Sequence, residues 1–69
     1  MVTFGERLKE LRLEKNLTQR ELVIKLNGKI TQPAITLWET GKRVPNLDAV
    51  IILAQFFGVS LDYIAGLED

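Results

Sequence analysis

The sequence contains no cysteine and no histidine. The first absence excludes disulfides, a thiol nucleophile and a cysteine-held metal, and leaves the redox compartment untested; the second removes the commonest metal ligand and general base. No apolar run approaches the ~20 residues of a bilayer-spanning helix. The start, MVTFGERLKE, lacks the apolar stretch of a secretory signal, so the expected location is the cytoplasm, with no membrane partner. Gly-rich phosphate loops, metal-ligand clusters and nucleophile-base pairs are missing too. The carboxylates of Glu6, Glu10 and Glu14 recur at helix-surface spacing and read as a solvated face. No enzymatic activity, metal, cofactor or small-molecule ligand is expected.

Positive charge is absent from one part of the chain. All nine basic residues, Arg7, Lys9, Arg12, Lys15, Arg20, Lys25, Lys29, Lys42 and Arg43, precede Val44, and with five glutamates they leave Met1–Arg43 at +4. Val44–Asp69 carries −4, so the whole chain is neutral. A net charge of zero argues against nucleic acid, but a basic end opposed to an acidic one can still orient a protein toward phosphates.

What is present is dense helix punctuation over 69 residues, read as one domain, 1–69, able to hide roughly 60% of its unfolded surface. Thr3 with Glu6 and Thr18 with Glu21 fit capping boxes, in which a hydroxyl and a carboxylate satisfy the free N–H groups of a helix start. The first helix, about Phe4 to Lys15, places Phe4, Leu8 and Leu11 on one stripe; the second, about Gln19 to Leu26, places Leu22 and Leu26 on another. After the turn Asn27-Gly28-Lys29, a third helix starts at Thr31 or Gln32, since Pro33 fits only a first turn, and ends near Gly41. Asn46 caps a fourth, about Leu47 to Phe57, closed by Gly58, and Ser60 caps a short fifth ending at Gly66. The run VIILAQFF could form a buried strand, but its length between a cap and a terminating glycine favours helix.

On a helical wheel the third helix turns Ala34, Ile35 and Trp38 to the core, with Gln32, Pro33, Thr36 and Thr40 opposite and Leu37 on the flank. The outer face is small, amide-bearing and uncharged. It suits hydrogen bonds and methyl contacts to base edges in a major groove, although taken alone an ordinary solvated surface is the simpler reading.

Neighbouring motifs add weight. Two short helices joined by a turn, TQRELVIKLNGKITQPAITLWETGK, precede the basic loop GKRVP. With LKELRLEKNLTQRELVIKL, ITLWETGKRVPNLDAV and LAQFFGVSLDYIAG, nearly the whole chain resembles the phage-repressor and Cro type (Xre-like) helix-turn-helix domain. The resemblance implies an all-α, five-helix lambda-repressor-like fold with helix 2 and helix 3 forming the helix-turn-helix. It also implies binding to double-stranded operator DNA, usually as a homodimer, and transcriptional regulation, with repression the expected sense.

Carried over residue by residue, the resemblance makes Gln32, Pro33, Thr36 and Leu37 base readers, and Gln19, Thr40, Lys42 and Arg43 phosphate contacts. Arg12 and Glu39 match an internal ion pair of some phage repressors. The acidic, apolar region around Val59, Leu61 and Tyr63 is the expected dimer surface. The turn before helix 3 is two residues longer than the family's Leu-Gly-Val-Ser, which puts Lys29 within possible reach of a phosphate, though a plain loop charge is the simpler reading. The rival is a protein-binding adaptor or antitoxin module on the same fold, with Pro33 and Leu37 gripping a partner. Family members often continue past the point matching Gly66-Leu67-Glu68-Asp69 into an effector or oligomerisation domain, so the sequence is compatible with being a piece of a longer protein.

Overall fold

The computed structural model describes residues 2–68. Five helices follow in order: α1 Phe4–Glu14, α2 Gln19–Lys25, α3 Gln32–Glu39, α4 Leu47–Phe57 and α5 Leu61–Ile64. There is no strand among the described residues, and VIILAQFF lies within α4. This is the expected all-α, five-helix architecture.

Every start carries the cap its sequence announces. Thr3 and Thr18 close both halves of their capping boxes, and Thr31, Asn46 and Ser60 each accept from the N–H three residues on. The ends are shorter than the wheel suggested: α1 and α2 stop one residue earlier, α3 stops at Glu39 and α5 at Ile64. These four share a reason, while α4 ends at Phe57 as expected. In each of the four the chain passes a cap residue and then a left-handed one, Asn16, Asn27, Gly41 or Gly66. The N–H of that residue and of the one after it, as Gly41 to Trp38 at 3.1 Å and Lys42 to Leu37 at 2.9 Å, return to carbonyls of the last turn. That paired closure consumes residues that periodicity alone assigns to the helix.

Leu8, Leu22, Ile35, Leu53 and Ile64, one from each helix, are fully buried, each stabilising the fold by about 1.5–3 kcal/mol relative to exposure. Trp38 of α3 meets Phe4 of α1 edge-on, with ring centroids 5.8 Å apart. Gly5 makes that approach possible, because a Cβ there would collide with the Trp38 carbonyl oxygen. Helix α3 is thus held against α1 along its inner side. The longer turn before it is absorbed outward: Leu26 and Ile30 are buried while Asn27, Gly28 and Lys29 between them are exposed.

Candidate nucleic-acid interface

Helix α3 presents Gln32, Pro33 and Thr36 to solvent, with Leu37 half-buried beside them. The four line one shallow, open depression. Gln32 opens the helix directly after the Thr31 cap, and Pro33 sits where its missing N–H has no helical partner to lose. Lys42 and Arg43 are exposed just past the helix end. The left-handed turn at Gly41 (φ 74°) delivers them there. Charge therefore flanks this outer face without entering it. Lys29 is also exposed, at the opposite end of α3.

Behind this face runs a connected set of hydrogen bonds. Arg12 Nε and Nη2 donate to the two carboxylate oxygens of Glu39 at 2.8 and 2.9 Å, and Nη1 donates to the Leu17 carbonyl at 2.8 Å. The side chains are 8% and 4% exposed, so the pair is internal and ties α1 to α3. Hydrogen bonding to Glu39 pushes the Arg12 pKa above its ordinary value. Gln19, at the start of α2, donates its amide to Glu39 Oε1 at 3.2 Å and accepts the Thr36 hydroxyl at 2.7 Å.

Two sequence expectations look different in this light. The Gln19 carboxamide is engaged at both ends within the protein, which leaves one amide hydrogen for a phosphate. The Thr40 hydroxyl donates to the Thr36 carbonyl at 2.8 Å and its backbone N–H to the same group at 3.0 Å. A phosphate needs a donor, so a contact from Thr40 requires its hydroxyl to turn away from this carbonyl.

Arg7 is counted in the basic part of the chain. It is buried, its guanidinium 3.9 Å from the Tyr63 ring centre and donating to the Glu68 carbonyl at 3.2 Å. With Arg12, that withdraws two of the nine basic residues from the surface. The signal was there in the spacing: positions 4, 7, 8, 11 and 12 make one helical stripe. Of the expected dimer surface, Leu61 is exposed, while Val59 and Tyr63 are half-buried against the core, Tyr63 with one face covered by Arg7.

Residues 8–64 match the family model described as Helix-turn-helix. The chain belongs to this family. Its relatives include the HTH-type transcriptional activator BcrR of Enterococcus faecalis, 38% identical over 66 residues, covering 96% of this chain and 31% of that protein. The uncharacterized HTH-type transcriptional regulator YqaE of Bacillus subtilis is 43% identical over 61 residues, covering 88% and 51%. The chain thus spans just under a third to about half the length of these relatives. Its fold is that of the BldD DNA-binding domain from S. venezulae, with a TM-score of 0.80 over 90% of each chain at 22% identity. Within this helix-turn-helix domain no described helix is long and apolar enough to cross a membrane.

Proposed function

We propose that this helix-turn-helix domain reads double-stranded operator DNA by laying α3 in the major groove, as the DNA-binding part of a transcriptional regulator that represses by occupying its operator. The observation that carries the reading is the uncharged outer face of α3, with Gln32 at its start and Lys42 and Arg43 just past its end. Gln32 bonds an adenine edge, Leu37 and the Pro33 ring pack on thymine methyls, and Lys42 and Arg43 hold phosphates. The domain binds a pseudo-palindrome as a two-fold homodimer, its α3 helices about 34 Å apart, with Leu61 central to the contact beside Val59 and Tyr63. The sense of regulation depends on where the operator lies, and BcrR, a similar protein, is named an activator.

The test is affinity against salt on specific and random duplexes. Gln32→Ala weakens the specific complex by about 1–3 kcal/mol and leaves random DNA nearly unaffected. Lys42→Ala weakens both and lowers the salt slope by about one unit, as one fewer counterion is released. Binding that ignores salt, or a Gln32→Ala protein weakened equally on both duplexes, overturns the reading in favour of a protein adaptor or of contacts to the backbone alone.

A further inference from the structure

The buried Arg12–Glu39 pair dictates the direction of every hydrogen bond between it and the reading face. A guanidinium has donors only and an ionised carboxylate acceptors only. Glu39 therefore has room only for donors, and Gln19, 3.2 Å away, must turn its NH2 toward it. The carboxamide oxygen of Gln19 then faces Thr36, 2.7 Å from its hydroxyl oxygen. Two acceptors cannot face each other, so the hydroxyl must supply the hydrogen. Thr36 is exposed, yet its one donatable hydrogen, that of the hydroxyl, points inward. What it offers outward is an acceptor and a methyl group.

From this polarity, and resting on the major-groove reading above, we infer that Thr36 is a specificity-determining residue that selects a base carrying an exocyclic amino group, adenine or cytosine, on the strand it faces. In the major groove adenine N6 and cytosine N4 donate, whereas guanine O6 and N7 and thymine O4 only accept. An acceptor-only Thr36 bonds the first two and leaves the second two facing an unpaired acceptor. Gln19 acts as a positioning residue: it keeps Thr36 in this state without touching a base. Lacking Gln19, the hydroxyl can rotate and donate outward, and the discrimination disappears.

Selection of bound sequences from a random duplex pool tests this with four proteins: the parent, Thr36→Val, Thr36→Ser and Gln19→Ala. In the parent, one position of each half-site is adenine or cytosine. Thr36→Val, which keeps the shape and removes the hydroxyl, loses about three- to tenfold of preference there while other positions keep theirs, and Thr36→Ser retains it. Gln19→Ala admits guanine or thymine at that same position. The inference is overturned if Thr36→Val changes no position, if the position it changes is guanine or thymine in the parent, or if Gln19→Ala weakens all sequences alike with preferences intact. Failure of the parent to enrich any sequence overturns the major-groove reading itself, and this inference with it.

Discussion

Removing one partner of the Arg12–Glu39 pair is expected to be among the most damaging single changes to this domain. Without the Glu39 carboxylate, a guanidinium 92% shielded from solvent keeps one protein acceptor, the Leu17 carbonyl. Without Arg12, a carboxylate 96% shielded keeps only the Gln19 amide. Stranding a buried charge in this way costs about 3–5 kcal/mol. A domain of this length has roughly 3–10 kcal/mol of total stability, so Arg12→Ala or Glu39→Ala removes a third or more of it. At about 4–8 °C per kcal/mol, the melting temperature falls by roughly 12–40 °C. The double replacement Arg12→Met with Glu39→Leu leaves no stranded charge and recovers most of the loss. Melting followed by far-ultraviolet circular dichroism on the four proteins gives the answer. Single variants that melt within a few degrees of the parent, or a double variant no better than the worse single, would refute the reasoning.

Two further outcomes follow from the same geometry. Gly5→Ala forces a methyl group into the Trp38 carbonyl, so it destabilises by about 1–3 kcal/mol or more; a parent-like melt would show that α1 and α3 have room to separate. The Thr3 and Thr18 backbone N–H groups, then the hydroxyls, hold the Glu6 and Glu21 pKa values below the ordinary glutamate value. Since the folded values are the depressed ones, their stabilisation is complete above the unfolded value of about 4.3 and is lost as pH falls through the folded value. The melting temperature therefore declines below about pH 4.5, less so in Glu6→Gln with Glu21→Gln, and an equal decline in that variant would assign the acid sensitivity elsewhere.

What sequence reasoning could reach follows the range of the interactions involved. The capping boxes at Thr3 and Thr18 and the caps at Asn46 and Ser60 are made within three residues, so each start was legible. The end of α4 at Phe57 was legible from Gly58, whereas the other four ends were legible only to within one or two residues, because a left-handed exit one residue past the cap borrows its carbonyls from the last turn. The inner side of α3 followed from its period, with Ile35 and Trp38 buried as the wheel requires. Charge counted along the chain misled at Arg7, because a count ignores which helical face a residue occupies. Bonds from Gln19 to Glu39 and Thr36, 20 and 17 residues apart, have no local signature and depend on how α2 and α3 are set together.

That setting explains why stability and reading can be separated in this domain. The apolar pair replacing Arg12 and Glu39 restores the fold's energy through packing, but it supplies no acceptor to hold the Gln19 amide. Gln19 is then free to reverse its carboxamide, and Thr36 is free to donate or accept. If the major-groove reading holds, a thermally sound double variant shows the same broadened base preference at the Thr36 position as Gln19→Ala, with the preference assigned to Gln32 unchanged. On this argument the ionic pair is needed less for holding α1 to α3, which hydrophobic residues can do as well, than for giving a neutral recognition helix a fixed pattern of donors and acceptors.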